Sequence, residues 1–247
     1  EGSAGTIVIP RGTEVTSTVQ TVLTGLGLTE IAVNAMPRVL VLTSGHEVIE
    51  PGESLTAGKI YNSNRAMICG LLEDLGFHKI THYHVSDAPE ELESEINHVL
   101  QLSEDADIII SSGGVSVGLF DTMPLIYEKL GVKSIYARIQ LRPGAASYGA
   151  VTPKGQILFG LSGNPGAAFN GWHLIVAPTL KRYKGLKNWT TPVVACVMDS
   201  EIFKRNAFDR YVQGKVIFGG GAPRFVANRH FNSSSMLGLY TVNALAC

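Results

Sequence analysis

The sequence predicts an α/β fold in which a mostly parallel β-sheet lies between two layers of helices. Short apolar runs typical of buried strands alternate with amphipathic helical patterns between residues 38 and 185, and the connections are short. This alternation is typical of a parallel sheet, because consecutive parallel strands need a crossover helix between them. The flanking segments lack the alternation. We therefore predict a partial N-terminal module over residues 1–36, the three-layer α/β domain over residues 37–187, and a small β domain over residues 188–247.

The individual elements follow from hydrophobic periodicity. Apolar, β-branched runs that end in glycine or polar residues predict buried strands, and apolar side chains three and four residues apart predict helices. Strands are predicted over residues 38–43, 79–85, 107–111, 133–140 and 156–160. Helices are predicted over residues 62–75, from residue 87, over residues 123–130 and over residues 165–183. An apolar helix ending at Gly25 or Gly27 precedes this domain, and β-like runs at residues 193–197, 211–218 and 237–242 follow it.

The composition excludes several classes of protein. A chain of 247 residues with 45% hydrophobic and 17% charged residues has the composition of a globular protein and not of a disordered one. The net charge of −1 gives no electrostatic drive toward nucleic acid or anionic membranes, and no apolar run is long enough to span a membrane. Three cysteines without paired spacing indicate a reducing compartment, and we expect the cytoplasm. The missing initiator methionine and the end at Cys247 indicate a fragment.

Three polar, glycine-containing loops come directly after predicted strands. They cover residues 44–47, 112–118 and 161–165. The carboxyl ends of parallel strands share one edge of a sheet, where α/β proteins bind ligands, and glycine lets backbone N–H groups approach an anion. We therefore predict a single crevice that binds a phosphate. The structural alternative is that each loop is only a tight turn, with Asn164 capping a helix that starts at Pro165.

Three carboxylates, Glu47, Asp87 and Asp121, lie in or beside these loops. A phosphate-bound Mg²⁺ needs one or two carboxylates and keeps most of its waters, so these side chains are candidates for a magnesium site. The alternative for the two aspartates is helix capping, and Asp87 stands three residues before Glu90 as in a capping box. His82 and His84 point the same way on a strand. We interpret them as surface histidines, because no third zinc ligand stands at a suitable spacing.

The loops carry motifs that resemble a known family. Residues 39–64 (VLVLTSGHEVIEPGESLTAGKIYNSN) are similar to the molybdopterin-binding domain of the MoeA and gephyrin E-domain family, whose motifs are roughly T-G-D-E-L, P-G and G-x-I-Y-D-x-N. The similarity continues through residues 85–87, 112–121 (SGGVSVGLFD), 142–144 and 160–165 (GLSGNP). The chain therefore resembles the molybdopterin molybdotransferases, and the resemblance implies a MogA/MoaB-like three-layer domain.

The resemblance also implies a reaction. Members of this family bind adenylylated molybdopterin, cleave its adenylyl phosphate with a divalent cation such as Mg²⁺, deliver molybdate to the dithiolene and release AMP, generally as homodimers. Catalytic roles fall on Glu47, Asp87, Asp121 and Arg142, with Asp87 and Asp121 holding the metal. Binding of the substrate falls on the loop residues Ser44, Gly45, Asn64, Ser112, Gly113, Gly114, Val115, Ser116, Gly118, Gly144, Ser162, Gly163, Asn164 and Pro165.

The sequence departs from the family at several of these positions. Ser44 replaces a threonine, and the family's P-G-K-P becomes Pro143-Gly144-Ala145-Ala146, so that a lysine is missing while Arg142 remains. Loss of one positioned charge in an anion site can cost ~10²-fold in rate. Two other functions stay open: a non-catalytic molybdopterin carrier or sensor, and a molybdopterin adenylyltransferase. The segments on either side of the α/β domain argue against the adenylyltransferase, which usually consists of this domain alone.

Overall fold

The computed structural model describes residues 3, 5–114, 122–199, 208–228 and 233–247. Helix α1 (Ser17–Gly25) lies in the N-terminal segment. The α/β domain contains, in chain order, β1 (Val39–Ser44), β2 (Val48–Ile49), β3 (Ile60–Tyr61), α2 (Ser63–Asp74), β4 (Ile80–Val85), a 3-10 turn (Pro89–Glu91), α3 (Leu92–Ser103), β5 (Ile108–Ser112), α4 (Thr122–Lys129), β6 (Lys133–Ala137), β7 (Leu141–Arg142), β8 (Tyr148–Val151), β9 (Ile157–Leu161), α5 (Pro165–Gly171), a π-helical turn (Trp172–Val176) and α6 (Ala177–Tyr183). The C-terminal segment contains β10 (Val197–Met198), β11 (Asp209–Arg210), β12 (Val212–Ile217), β13 (Arg224–Ala227), a 3-10 turn (Leu239–Thr241) and β14 (Ala244–Ala246).

Six strands form the central sheet in the order β4-β1-β5-β9-β8-β6. The first four run parallel to one another, whereas β8 pairs antiparallel with both of its neighbours. The predicted mostly parallel sheet is therefore confirmed. The sequence did not predict β8, because Gly149 interrupts its pattern. This glycine lies under the ring of Tyr136 on β6, where a Cβ atom would be 2.2 Å from Tyr136 Cε1.

Two hydrophobic clusters, one on each face of the sheet, hold the three layers together. On one face α2 and the long α5–α6 helix pack Ile68, Trp172 and Leu180 against alternate residues of β1 and β5. On the other face α3 and α4 pack Val99 and Ile126 against the remaining residues of the same strands. Each of these side chains is buried, and burial of a large apolar side chain stabilises a fold by ~1.5–3 kcal/mol. The core thereby fixes where the parallel strands end.

The start of α3 differs from the prediction. The α-helix begins at Leu92, after the 3-10 turn, and neither element has a side-chain cap. The capping interpretation of Asp87 and Glu90 is therefore wrong. Its physical reason is that the 3-10 turn moves the start of the α-helix to Leu92, so the N-cap residues are Ala88 and Glu91 and not Asp87. Before this turn, Glu95 Oε2 accepts from the Ser86 N–H at 3.0 Å, and Ser86 Oγ accepts from the Ala88 N–H at 3.2 Å.

The flanking segments contact the α/β domain. In the C-terminal segment a second sheet has the order β10-β13-β12-β14, and β11 pairs with β7 of the α/β domain. Gln213 Nε2 donates to Gly166 O at 2.7 Å, which joins β12 to α5. The strand predicted over residues 237–242 is wrong, since the 3-10 turn occupies it. Among the described residues, no helix combines the length and apolar character that crossing a membrane requires.

Candidate functional site

The parallel strands bring the three predicted loops to one edge of the sheet. Thr43 of β1 lies beside Ser112 of β5, and Ser112 lies beside Leu161 of β9. Because the three strands run in the same direction, the loops that follow them leave the sheet side by side. The structure thus agrees with the expectation of one crevice for the loop residues that it describes, 44–47, 112–114 and 162–165.

Strand β4 adds a fourth loop at the same edge. Its last residue, Val85, lies beside Ser44, so that Ser86 and Asp87 follow at the level of the other loops. The rest of the second loop is not described. The predicted site residues that lie outside the described part of the chain are Val115, Ser116, Gly118 and Asp121.

The second loop packs closely against the first. Gly113 has a left-handed backbone (φ +93°), and its N–H donates to Leu161 O at 3.3 Å. A Cβ atom at Gly113 would lie 2.5 Å from the carbonyl oxygen of Ser44, and one at Gly114 would lie 2.7 Å from Met123 Cγ. A side chain at Gly113 would therefore separate two neighbouring loops. The crevice at Gly113 is therefore lined by backbone, and its shape depends on the absence of a side chain at this position.

Asn64, in the first turn of α2, connects the second and third loops. Its Nδ2 donates to Ser112 Oγ and to Gly163 O, both at 2.8 Å, and Ser112 Oγ donates to Ser162 O at 3.1 Å. The other side-chain atom, Asn64 Oδ1, is shielded from solvent and has no hydrogen-bond partner among the described residues. The crevice therefore contains a buried acceptor that no described residue pairs.

Asn62, two residues before Asn64, holds the start of α2 against the end of β1. Its Oδ1 caps the helix by accepting from the Arg65 N–H at 3.1 Å. Its Nδ2 donates to Thr43 Oγ1 at 2.9 Å and to Glu50 Oε1 at 2.8 Å, and Arg65 Nη1 forms an ion pair with Glu50 at 2.5 Å. These contacts anchor α2, and with it Asn64, to the end of β1.

His82 and His84, interpreted from the sequence as surface histidines, are partly exposed on the edge strand β4, but they also contact the interior. His82 Nε2 lies 3.0 Å and His84 Nδ1 lies 3.1 Å from the hydroxyl of Thr43, which is buried. Burial, followed by the charge of Arg65, lowers the pKa of His82 to about 4. The two imidazoles on β4 thus contact the Thr43 side chain on β1. No group of three or more His, Cys, Asp or Glu side chains within the described ranges could enclose a metal ion.

We expect the protein to lose stability as the pH falls from 6.5 to 4. Burial lowers the pKa of His173 to about 4, with a contribution from Lys181, as it does for His82. Below pH 6.5 the unfolded chain binds protons at these positions and the folded chain does not, so the free energy of unfolding falls by at most ~1.4 kcal/mol per pH unit for each histidine. Solvent screening makes the contribution of the half-buried His82 smaller.

Urea denaturation of the His173→Phe variant between pH 7.5 and 4.5 measures this effect. The new ring can still pack against Phe169, whose centroid is 4.3 Å from that of His173. The stability of the variant should depend less steeply on pH than that of the wild type, while His78→Phe, at an exposed position, should keep the wild-type slope. Equal slopes for all three proteins would contradict the explanation.

The first loop carries Glu47 together with a cation that the sequence did not single out. Glu47 Oε2 lies 3.6 Å from His46 Nδ1, and both side chains are accessible to solvent. Lys59 Nζ donates to the carbonyl oxygen of His46. Lys59 occupies the variable position of the G-x-I-Y motif, between Gly58 and Ile60, and this was the signal that could have indicated it. The structure thus places an acidic and a basic group at this loop.

Asp87 follows the end of β4 and has one carboxylate oxygen that the described part of the chain leaves unpaired. Its Oδ1 atom is shielded from solvent and makes no hydrogen bond to any described residue. Thr122 Oγ1 donates to Ser86 O at 3.3 Å. This hydrogen bond joins the residue before Asp87 to the residue after Asp121, and these two aspartates are the predicted metal ligands. A buried carboxylate oxygen without a donor suits a divalent cation that has few protein ligands, such as Mg²⁺.

The third loop begins α5 at Pro165, as predicted, but the capping interpretation of the Asn164 side chain is wrong. The side chain makes no capping hydrogen bond. The backbone carbonyl of Asn164 accepts from Ala167 N at 3.1 Å and from Ala168 N at 2.9 Å, while Ser162 Oγ accepts from Asn164 N at 3.2 Å. The Asn164 amide is exposed at the rim of the crevice, where it can contact a ligand.

Arg142 is directed toward the C-terminal segment. Its guanidinium lies 4.9 Å from the centroid of the Phe208 ring, and no hydrogen bond joins it to the crevice loops among the described residues. Gly144 packs on the other side of this segment, where a Cβ atom would lie 3.3 Å from Ala167 O of α5. Residues 142–144 therefore adjoin α5, the helix that follows the third loop, and Arg142 contacts the C-terminal segment.

Known proteins are similar to this chain in sequence and in fold. The chain is 31% identical to the molybdopterin molybdenumtransferases of Staphylococcus epidermidis and Staphylococcus aureus over 99% of its length, and it covers 58% of each of them. It thus spans less than two thirds of these relatives. A MoeA molybdopterin biosynthesis protein from Pyrococcus horikoshii superposes with a TM-score of 0.75 at 21% identity, over 96% of this chain and 56% of that one. A molybdenum cofactor biosynthesis protein from Pyrococcus furiosus superposes with a TM-score of 0.66 at 20% identity, over 98% of this chain and 72% of that one.

The two solved structures show that the fold is shared, because their sequences are too distant to show more. A sequence model of a protein family is more specific. It matches residues 40–182, the segment that contains the parallel strands, apart from the first residue of β1, and the loops of the crevice. That segment matches the family described as a probable molybdopterin binding domain. The chain belongs to this family of molybdopterin-binding domains.

Proposed function

We propose that this chain binds adenylylated molybdopterin and molybdate, inserts molybdate into the pterin dithiolene and releases AMP, as a molybdopterin molybdotransferase. The observation that carries the proposal is the crevice at the edge of the sheet, where glycine-containing loops follow neighbouring parallel strands and where Asp87 Oδ1 is shielded and has no hydrogen-bond partner among the described residues. Backbone donors hold phosphate, and a carboxylate beside them can position a divalent cation. The names of the staphylococcal relatives support the same reaction.

We assign the roles within the crevice as follows. Ser44, Gly45 and the described parts of the second and third loops bind the pterin and its phosphate, together with Asn64. From the resemblance to the family we assign substrate binding also to Val115, Ser116 and Gly118, which lie outside the described residues. We assign a catalytic role to Glu47, which lies with His46 on the solvent-accessible first loop, and Lys59, which contacts the same loop, can attract the anionic phosphate and molybdate.

Mg²⁺ fits the donor set at the end of β4. Asp87 and Asp121 would hold it, with waters completing its coordination, in keeping with the preference of Mg²⁺ for one or two carboxylates. When bound, the cation supplies a Lewis acid that neutralises charge on the phosphate oxygens. Asp87 would contribute a carboxylate whose Oδ1 is shielded from solvent. We further propose, from the resemblance to the family, that the protein acts as a homodimer in the cytoplasm.

One observation favours a second candidate function, a molybdopterin carrier or sensor. Ala145 stands where the family has a lysine, and the neighbouring cation, Arg142, stacks on Phe208. If the reaction needs a positive charge at that position, only binding would remain. Arg142 could still attract the phosphorylated ligand at longer range, and Gly144 would keep this segment against α5.

Incubation of the full-length protein with adenylylated molybdopterin, molybdate and Mg²⁺ tests the proposal. We expect AMP release that depends on Mg²⁺, and incorporation of molybdenum into the pterin. Tight pterin binding without AMP release in any divalent cation would establish the carrier function instead. A wild-type protein that binds no pterin would refute both functions.

A further inference from the structure

The two residues that flank Asp87 are held by hydrogen bonds in which its own side chain takes no part. Glu95 Oε2, on α3, accepts from the Ser86 N–H at 3.0 Å, and Thr122 Oγ1 donates to Ser86 O at 3.3 Å. Ser86 Oγ accepts from the Ala88 N–H at 3.2 Å. The backbone is thus fixed on both sides of Asp87, whose Oδ1 is shielded and has no hydrogen-bond partner among the described residues.

Glu95 makes a second contact, which fixes its own position. The hydroxyl of Tyr83, on β4, donates to Glu95 Oε1 at 2.8 Å. Burial, followed by this hydrogen bond, raises the pKa of Tyr83 to about 12, so the phenol keeps its proton at neutral pH and can donate. The Tyr83 ring packs edge-on against His98, with the ring centroids 4.6 Å apart. A single carboxylate therefore connects the body of β4 to the residue that follows the strand.

This connection matters most for a ligand of a weakly held cation. Mg²⁺ takes few protein ligands and keeps most of its waters, so its affinity depends on how well each carboxylate is placed before it binds. A ligand whose backbone is already fixed loses less conformational freedom on binding. The hydrogen bonds around Asp87 supply this order without using the oxygen that the cation needs.

We propose that Glu95 is a positioning residue for the divalent cation, which acts by holding the backbone on the N-terminal side of Asp87. The inference rests on the proposed function, in which Asp87 is a ligand of the cation. Both carboxylate oxygens of Glu95 already accept hydrogen bonds from the protein, one from Tyr83 and one from Ser86. Glu95 therefore acts through these hydrogen bonds, and its charge is secondary.

Replacement of Glu95 by alanine and by glutamine separates the hydrogen bonds from the charge. Alanine removes both acceptors. Glutamine is neutral but can keep both contacts: its Oε1 accepts from the Ser86 N–H, and its Nε2 donates to the Tyr83 hydroxyl, which can accept as well as donate. Electron paramagnetic resonance of Mn²⁺, which prefers the same oxygen ligands as Mg²⁺, measures cation binding to the full-length protein without pterin.

We expect Glu95→Ala to weaken Mn²⁺ binding by ~10–100-fold, the usual loss when a group that orients a metal ligand is removed, and Glu95→Gln to stay within about threefold of the wild type. Glu93→Ala is the matched control, because Glu93 is an exposed carboxylate two residues earlier on α3, and it should bind Mn²⁺ like the wild type. Equal weakening in Glu95→Ala and Glu95→Gln would overturn the inference, since the charge of Glu95 would then be what matters. A Glu95→Ala variant with a lower melting temperature and wild-type Mn²⁺ affinity would overturn it too, because Glu95 would then only support the fold.

Tyr83→Phe keeps the inference testable if Glu95→Ala folds poorly. It removes the hydrogen bond that fixes Glu95 and leaves the contact with Ser86, so it should weaken Mn²⁺ binding less than Glu95→Ala and more than Glu93→Ala. Wild-type affinity in Tyr83→Phe, or a wild type that binds no Mn²⁺, would overturn the inference. A wild type that binds Mn²⁺ and no pterin would instead refute the proposed function, because the cation is measured without the pterin.

Discussion

Replacement of Gly113 by alanine is expected to lower the free energy of unfolding by ~2–4 kcal/mol and to weaken molybdopterin binding at least tenfold. The backbone at this residue has φ +93°, which costs an L-residue ~1–2 kcal/mol. The new Cβ atom would lie 2.5 Å from the carbonyl oxygen of Ser44. Both atoms belong to the ends of neighbouring strands that the core fixes, so the contact cannot be relieved without moving a loop of the crevice. Urea denaturation and a titration with molybdopterin measure the two effects.

Gly155→Ala is the matched control. Gly155 has φ +84° in the turn between β8 and β9, and a Cβ atom there would have no heavy atom within 4 Å. This variant therefore includes the backbone strain without the collision. It should lose ~1–2 kcal/mol of stability and retain wild-type affinity for molybdopterin. If the two variants were equally destabilised and both bound the ligand normally, the close approach of Gly113 to Ser44 would have no functional meaning.

Much of the site could be predicted because its signals are local. The apolar runs before Ser44, Ser112 and Ser162 determine where three parallel strands end, and a parallel sheet places those ends together whatever lies between them. Sequence periodicity alone was therefore sufficient to place the loops in one crevice. It was also sufficient for α2, which begins and ends within one residue of the predicted range.

The remaining features depend on contacts between residues distant in the sequence. The network of Thr43, His82 and His84 exists because β4 pairs with β1, so two histidines that looked solvent-exposed came to lie against a buried hydroxyl. The bridge of Asn64 depends in the same way on the neighbouring positions of β5 and β9. The Asp87 pattern failed for the opposite reason. It is locally correct for a capping box, but Glu95 from the following helix reaches back and takes the Ser86 N–H.

Replacement of Asp87 by asparagine should reduce the rate of AMP release by ~10²-fold or more while leaving the protein at least as stable as the wild type. The two side chains have the same shape, but only the carboxylate can neutralise a divalent cation. Because the shielded Oδ1 has no hydrogen-bond partner among the described residues, the fold gains little from it, and an unpaired carboxylate oxygen is more costly to bury than an unpaired amide oxygen. The free energy of unfolding should therefore stay the same or rise by up to ~1 kcal/mol. A gain in stability that accompanies a loss of rate is the usual sign of a residue kept for function.

Asp74→Asn provides the comparison, because Asp74 is an exposed carboxylate at the end of α2, away from the crevice edge. It should leave both the rate and the stability near wild type. The Mg²⁺ concentration that gives half-maximal AMP release should rise in Asp87→Asn and not in Asp74→Asn, since only the former removes a ligand of the cation. The prediction is wrong if Asp87→Asn lowers the melting temperature and releases AMP at the wild-type rate, because Asp87 would then support the turn between β4 and α3 and have no part in the chemistry.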